Sequence, residues 1–210
     1  VTGSGKTEVY IRLVREALKA GKGTIILVPE IVLTPQMINW FRSRFGDTMA
    51  VLHSRLTPGE RFDEWRRIRL GRARIVIGAR SAVFAPVENL GVIIVDEEHE
   101  QTYFSDRFPQ YDAREVAVSR GKREGAVVLL ASATPSIFSY AMCRRGDYTL
   151  VEMPHRVLNR PLPAVHIVDM RQELRMGNHS IFSSLLTQKL ESCIASGQQA
   201  MLFINRRGYA

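Results

Sequence analysis

The chain has 210 residues, of which 45% are hydrophobic, enough for one large domain or for one domain and part of another. Its net charge of +8 favours a polyanionic partner, and no apolar run approaches the roughly 18 residues that a membrane-spanning helix needs. The two cysteines, Cys143 and Cys193, lie far apart and belong to no motif. This pattern is typical of ordinary thiols in a reducing cytoplasm and excludes a disulfide framework.

The first seven residues, V-T-G-S-G-K-T, match the P-loop pattern G-x-x-x-x-G-K-[ST] at every position except the first glycine. Glycines let the backbone turn its N–H groups towards phosphate oxygens, the lysine attracts the β- and γ-phosphates, and the threonine hydroxyl can bind Mg²⁺. The alternative is a glycine- and serine-rich turn before an ordinary helix. Because the chain starts with Val inside the motif, we expect it to be a piece of a longer protein. The predicted nucleotide-binding residues are Gly3, Ser4, Gly5, Lys6 and Thr7.

Helical patterns and short apolar runs alternate after this motif. Periodic apolar residues predict helices over residues 8–20, 33–45, 58–70 and 113–122. Short runs rich in β-branched residues predict buried strands over residues 24–28, 49–52, 74–77, 92–95 and 127–130. This alternation predicts an α/β fold with a parallel sheet flanked by helices on both faces.

Polar groups follow several of these strands, at residues 29–30, 78–81, 96–99 and 132–134. Ligands of parallel sheets bind at the carboxyl ends of the strands. An acidic pair such as Asp96 and Glu97 is, by itself, most often a simple turn. Together with the P-loop, it predicts hydrolysis of a nucleoside triphosphate: Asp96 binds the Mg²⁺ and Glu97 orients or deprotonates the attacking water, while Lys6 assists at the phosphates.

The run D-E-E-H at residues 96–99 and the tripeptide S-A-T at residues 132–134 resemble motifs of superfamily 2 helicases and translocases. An isolated His99 is most often a packed core histidine. The resemblance instead implies that His99, Ser132, Ala133 and Thr134 couple the ATP site to nucleic acid.

Seven segments extend the resemblance over nearly the whole chain: V-T-G-S-G-K-T-E-V-Y, L-V-P-E-I-V-L-T-P-Q, E-W-R-R, R-I-V-I-G-A-R-S-A, D-E-E-H, S-A-T-P-S and F-I-N-R-R-G-Y-A. In this order they resemble the primosomal replication-restart helicase family of superfamily 2. The resemblance implies two RecA-like lobes that clamp ATP and move 3′→5′ along single-stranded DNA. It also implies zinc in the full-length protein, bound by ligands outside this chain, and a role for Arg206 and Arg207 near the cleft between the lobes.

The same resemblance predicts the partners and the location of the protein. They are single-stranded and forked DNA, and the proteins that assemble the primosome and load the replicative helicase, in the bacterial cytoplasm at the nucleoid. No membrane partner is expected.

The predicted domains are a RecA-like ATP-binding lobe over residues 1–152, a proline-rich linker over 153–163, and the truncated start of a second RecA-like lobe over 164–210. The last segment is predicted to contain strands at 165–168 and 200–204 and a helix at 184–195. Since the second lobe supplies an arginine for catalysis in this family, we expect the isolated 210 residues to bind ATP weakly and not to unwind DNA.

Two groups of residues are predicted to bind DNA. The resemblance implies that Thr34, Gln36, Arg80 and Ser81 contact the DNA backbone without reading sequence. The loop after D-E-E-H carries Tyr103, Phe104 and Phe108 among basic residues, and such rings can stack on bases. The alternative is that two or three of these rings pack down to anchor the loop.

A cluster of arginines between residues 55 and 80 predicts a phosphate-contacting surface, with a solvated helix face as the alternative: Arg55, Arg61, Arg66, Arg67, Arg69, Arg72, Arg74 and Arg80.

The predicted function is an ATP-dependent DNA helicase or translocase of replication restart. One alternative is another superfamily 2 enzyme, such as an RNA helicase or a restriction-type translocase. Another is a nucleic-acid-binding chain without productive turnover. Stimulation of ATP hydrolysis by single-stranded DNA over RNA would distinguish the predicted function from the other superfamily 2 enzymes.

Overall fold

The computed structural model describes residues 3–157, 161 and 163–204, and the chain divides into two compact units, Val1–Arg160 and Pro161–Ala210. In the first unit the helices are α1 Lys6–Lys19, α2 Pro35–Phe45, α3 Pro58–Arg69, α4 Ala113–Glu124 and α5 Ile137–Arg145. The strands are β1 Gly23–Leu27, β2 Met49–Leu52, β3 Ile75–Gly78, β4 Leu90–Asp96, β5 Phe104–Ser105, β6 Tyr111–Asp112 and β7 Val127–Ala131. The second unit contains the helices α6 Met170–Arg175 and α7 Ser184–Ala195.

Five parallel strands form the main sheet in the order β2-β3-β1-β4-β7. Side chains of β1 alternate between two apolar clusters: Ile25 packs on the side of α3 and α4, and Ile26 packs on the side of α1 and α2. Both faces of the sheet are therefore buried, which explains why its strands are continuous apolar runs. The predicted α/β fold with helices on both faces is confirmed.

Local sequence signals fix the ends of several elements. Helix α3 begins with a capping box, in which the Thr57 hydroxyl accepts a hydrogen bond from the Glu60 N–H and the Glu60 carboxylate accepts one from the Thr57 N–H. At the end of β3, a Cβ on Gly78 would lie 2.3 Å from the carbonyl oxygen of Leu52. Only glycine lets β3 approach β2 this closely before the chain turns into the segment of Arg80 and Ser81.

The second unit differs from the prediction. The helix predicted over residues 184–195 is confirmed as α7, but residues 165–168 and 200–204 form no strand in the described part of the chain. A strand needs a neighbour to pair with its backbone groups, and apolar residues alone do not provide one. Helices α5 and α6 and the short hairpin β5–β6 were not predicted.

None of the helices that the structure describes is long and apolar enough to span a bilayer.

Candidate active site

The segment before α1, which is predicted to bind phosphates, turns at two glycines. Gly3 and Gly5 have φ angles of 78° and 90°, in the left-handed region that favours glycine, and Gly5 is the N-cap of α1. The Ser4 hydroxyl is buried and has no hydrogen-bond partner among the described residues. A buried polar atom without a protein partner fits a place where a ligand oxygen completes its hydrogen bonding. The N-terminus of α1 adds a partial positive charge there.

Lys6, in the first turn of α1, forms an ion pair with Glu97: its Nζ lies 2.7 Å from Glu97 Oε1. The two residues are 91 positions apart in the sequence. Glu97 has a φ angle of 45°, which is uncommon for a residue with a side chain and costs free energy. This turn directly after β4 places the Glu97 carboxylate beside the P-loop lysine.

Asp96, the last residue of β4, is held in place from two sides. Its Oδ1 accepts a hydrogen bond of 2.6 Å from the Tyr10 hydroxyl and one of 3.0 Å from the Glu97 N–H. Its Oδ2 has no hydrogen-bond partner among the residues that the structure describes, which leaves it free to bind a cation. Burial raises the pKa of Asp96, and the hydrogen bond from Tyr10 and the charge of Lys6 act in the opposite direction.

Two buried tyrosines thus support Asp96. Tyr10 donates to its carboxylate, while the Tyr103 hydroxyl lies 2.6 Å from its backbone carbonyl oxygen and donates to it. Burial raises the pKa of both phenols, so both remain protonated donors at neutral pH. The prediction that Tyr103 offers its ring to DNA bases is wrong, because the side chain is only 1% exposed. The ring packs in the core, and the hydroxyl positions the end of β4.

The predicted coupling residues lie together. His99 Nδ1 and Ser132 Oγ are 2.7 Å apart, and the same Ser132 oxygen accepts a hydrogen bond of 2.9 Å from the Thr134 N–H. Ala133 lies half-buried between these two residues. The structure therefore joins D-E-E-H after β4 directly to S-A-T after β7, as neighbouring parallel strands allow.

Glu98, the third residue of D-E-E-H, was not predicted to have a role. It is fully buried, and its carboxylate accepts hydrogen bonds from the Ser136 N–H at 2.6 Å, the Ser136 hydroxyl at 3.0 Å and the Ser139 hydroxyl at 2.9 Å. The Arg114 guanidinium donates to its backbone carbonyl at 2.7 Å. Glu98 therefore fastens the start of α5 to the end of β4, which makes a second link between the two motifs.

The predicted DNA-binding residues divide into two groups. A cleft of about 890 Å³ lies at the carboxyl ends of β1, β2 and β3, and Arg80, Ser81 and Phe104 are among its lining residues. The Arg80 guanidinium donates to the carbonyl oxygens of Thr102 and Phe104 and lies 5.7 Å from the ring centre of Tyr111. These contacts fix the loop that follows D-E-E-H against the cleft.

Thr34, Gln36 and Phe108 do not line this cleft, whereas Tyr103 does. Thr34 is the N-cap of α2, where its hydroxyl accepts a hydrogen bond of 3.2 Å from the Met37 N–H, and Gln36 is exposed in the first turn. Phe104 is 48% exposed and Phe108 is 98% exposed, so both rings face solvent. The alternative that the loop is anchored by packed rings therefore applies to Tyr103 and not to these two phenylalanines.

Some predicted features fall outside the described residues: Val1 and Thr2 at the start of the P-loop, and Arg206 and Arg207. Within the described ranges, no group of three or more His, Cys, Asp or Glu side chains could hold a metal ion. A magnesium ion bound by one carboxylate, one hydroxyl and phosphate oxygens needs no such group. The free Oδ2 of Asp96 and the P-loop threonine, Thr7, fit this mode.

Residues 1–142 match the DEAD/DEAH box helicase family. All 210 residues align at 54% identity with replication restart protein PriA of Bacillus subtilis (strain 168), covering 26% of that protein. The PriA of Synechocystis sp. is 49% identical over the whole chain and is likewise covered to 26%, so the chain spans about a quarter of these relatives.

The helicase domain of Pyrococcus furiosus Hef is a structural neighbour with a TM-score of 0.48 and 18% identity over 72% of this chain and 33% of that one, a similarity too low to support an inference. The sequence matches are enough to assign the family without this structural neighbour. They confirm the predicted resemblance to the replication-restart helicases. The match to the helicase family covers well over half of this chain. The chain therefore belongs to the DEAD/DEAH box helicase family.

Proposed function

We propose that this chain is the ATP-binding part of an ATP-dependent DNA helicase of replication restart that moves 3′→5′ along single-stranded DNA. The observation that carries the proposal is the ion pair of Lys6 and Glu97 beside Asp96, which unites the P-loop with D-E-E-H at one point. The relatives named replication restart protein PriA support the biological role. Forked DNA, primosome and helicase-loading proteins as partners, and action at the bacterial nucleoid, belong to the same proposal.

The residues of the site divide the work of hydrolysis. The P-loop backbone and Lys6 bind and orient the phosphates of ATP, and Thr7 and Asp96 hold Mg²⁺, which when bound neutralises charge on the phosphates. Glu97 accepts a proton from the water that attacks the γ-phosphate, and the products are ADP and inorganic phosphate. Since Glu97 Oε1 lies 2.7 Å from Lys6 Nζ, the proposed base is next to the group that binds the phosphates.

Nucleic acid controls this chemistry through the contact between His99 and Ser132. Both motifs follow neighbouring strands, so a shift of the S-A-T segment on DNA binding reaches the residues after β4 through the hydrogen bond between His99 and Ser132. The cleft lined by Arg80 and Ser81 receives the DNA backbone, and the exposed rings of Phe104 and Phe108 stack on its bases.

The function is tested in the full-length protein, because the 210 residues alone are not expected to unwind DNA. The measurements are ATP hydrolysis in the presence of single-stranded DNA or RNA of equal length, and unwinding of duplexes with a 3′ or a 5′ tail. We expect DNA to stimulate hydrolysis more than RNA, and only the 3′-tailed duplex to be unwound. Lys6→Ala should abolish both activities, whereas Lys19→Ala, at an exposed lysine of the same helix, should not.

Each contrary result identifies another function. Preferential stimulation by RNA would indicate an RNA helicase, and stimulation by duplex DNA without unwinding would indicate a restriction-type translocase. DNA binding without ATP hydrolysis would indicate a nucleic-acid-binding protein without turnover.

A further inference from the structure

One face of α3 combines aromatic and basic side chains. Residues four apart lie on the same side of a helix, so residues 61, 65 and 69 form one row and residues 62 and 66 form the adjacent row. These two rows define the arginine–aromatic face: Arg61, Phe62, Trp65, Arg66 and Arg69.

Two acidic residues of α3, Glu60 and Glu64, lie outside this face and are used elsewhere. Glu60 closes the capping box with Thr57. Glu64 accepts a hydrogen bond of 2.9 Å from the Val51 N–H and forms an ion pair with Arg67. These contacts and the buried Ile68 attach α3 to the sheet through its other side.

The arginine–aromatic face itself is open to solvent. Phe62 is 66% exposed and Trp65 is 37% exposed, although burying either ring would be favourable. Among the described residues, none of the three arginines of the face forms an ion pair. Their positive charge is therefore available to an anionic partner.

The face is continuous with the cleft of the proposed DNA site. Arg61 lines the cleft of about 890 Å³ together with Arg80 and Phe104. It also lines a second groove of about 400 Å³ with Phe62 and Trp65. A strand that leaves the cleft past Arg61 would thus meet the two rings next.

We propose that the arginine–aromatic face of α3 is a second binding segment for single-stranded nucleic acid, and this inference rests on the proposed function. Phe62 and Trp65 stack on bases, and Arg61, Arg66 and Arg69 contact phosphates. Alternating rings and arginines bind a single strand in this way without reading its sequence. The segment lengthens the path of the strand from the sheet edge onto the outside of α3.

The first test measures the affinity of the protein for a long, labelled oligothymidylate. Phe62→Ala combined with Trp65→Ala should weaken binding by about 5- to 150-fold for each ring that stacks. Trp65→Phe should keep most of the affinity, because it retains an aromatic ring. The matched control is Phe138→Ala combined with Tyr140→Ala, which removes two exposed rings of α5 and should change the affinity little.

The second test measures how the same affinity depends on salt. A plot of the logarithm of the binding constant against the logarithm of the salt concentration has a negative slope. Arg66→Ala combined with Arg69→Ala should make this slope shallower by about 0.7 for each lost phosphate contact. Arg12→Ala combined with Arg15→Ala removes the same charge from exposed positions of α1 and should leave the slope unchanged.

A third measurement identifies the residue at the interface. Oligothymidylate should quench the fluorescence of the native protein more than that of Trp65→Phe, since a stacked base contacts this indole. Equal quenching in both proteins, with native affinity in the Phe62 and Trp65 double variant, would overturn the proposal. If that variant instead lost a protein partner, the face would be a protein interface. Failure of the proposed function is a different result, in which native protein neither binds single-stranded DNA nor hydrolyses ATP faster with it.

Discussion

The hydroxyl of Tyr10 donates a hydrogen bond of 2.6 Å to Oδ1 of Asp96, from the first helix to the end of a strand 86 residues away. Tyr103 donates a bond of the same length to the backbone oxygen of the same aspartate. The two tyrosines are therefore a natural pair for comparison: both are buried, and only one contacts the carboxylate that is proposed to hold Mg²⁺.

Tyr10→Phe should weaken Mg²⁺-dependent ATP hydrolysis, raising the Mg²⁺ concentration at half-maximal rate by about tenfold. Without this hydrogen bond the ionised form of the half-buried Asp96 is less stable, so its pKa rises further and protons compete better with Mg²⁺. Both variants should lower the free energy of unfolding by about 1 kcal/mol, but Tyr103→Phe should change the Mg²⁺ requirement little. Equal Mg²⁺ requirements in the two variants would contradict the role of Tyr10.

The hydrogen bond between His99 and Ser132 should couple DNA binding to hydrolysis. His99→Ala and Ser132→Ala should each reduce the stimulation of ATP hydrolysis by DNA more than the basal rate. Because both variants break the same bond, the double variant should lose no more than either single one. His179→Ala, at an exposed histidine of the second unit, is the control. Additive losses from the two changes would show that the residues act separately.

The exposed rings of the loop after D-E-E-H should contribute to DNA binding. Phe104→Ala combined with Phe108→Ala should weaken single-stranded DNA binding by about 1–3 kcal/mol for each stacked ring and reduce DNA-stimulated ATP hydrolysis far more than the basal rate. Phe138→Ala, at an exposed phenylalanine of α5, serves as the control. If basal and stimulated hydrolysis fell equally, the rings would have no role in stacking.

Asp112 and Arg114 form an ion pair at the start of α4, with Arg114 Nε 2.9 Å from Asp112 Oδ1. Burial opposes ionisation of Asp112, but the hydrogen bonds from Arg114 outweigh it and hold the pKa of this carboxyl below its usual range. A depressed pKa in the folded state means that the pair stabilises the fold above the unfolded pKa of about 3.9, and that this contribution is lost as the pH falls towards the folded value.

Asp112→Asn keeps a side-chain oxygen that can cap α4 but removes the charge. We expect it to lower the free energy of unfolding by about 1 kcal/mol at pH 7, and the difference from the native protein to shrink below about pH 4. Urea unfolding at several pH values measures this. A difference that is constant with pH would show that the charge of Asp112 is not what stabilises the helix start.

Local motifs were predictable because neighbouring residues carry them. The P-loop and the strand before D-E-E-H are each contained in a few consecutive residues. The contacts of Tyr10 and Glu98 join segments that are distant in the sequence, and no local pattern indicates which hydroxyl reaches which carboxylate. Tyr103 was misassigned for the same reason, since the sequence does not show whether the ring of an aromatic loop residue packs into the core or faces solvent.

For another physical reason, helix α5 was not predicted, and the two strands predicted in the second unit are not seen among the described residues. Among the residues of α5, only Ser139 is buried, while Ile137 and Phe138 face solvent, so the helix has no apolar stripe to detect. Conversely, residues 165–168 have the composition of a strand, but Val165 and Ile167 are largely exposed. Strand formation depends on a partner that composition does not reveal.

Glu97, held beside Lys6, is proposed to accept the proton of the attacking water. Glu97→Gln should bind ATP with near-native affinity and hydrolyse it at least about 100-fold more slowly with saturating single-stranded DNA. Glu100→Gln, three residues further on, is the matched control and should retain most of the activity. Hydrolysis by Glu97→Gln at the native rate, with ATP bound normally, would contradict the role of Glu97 as the base.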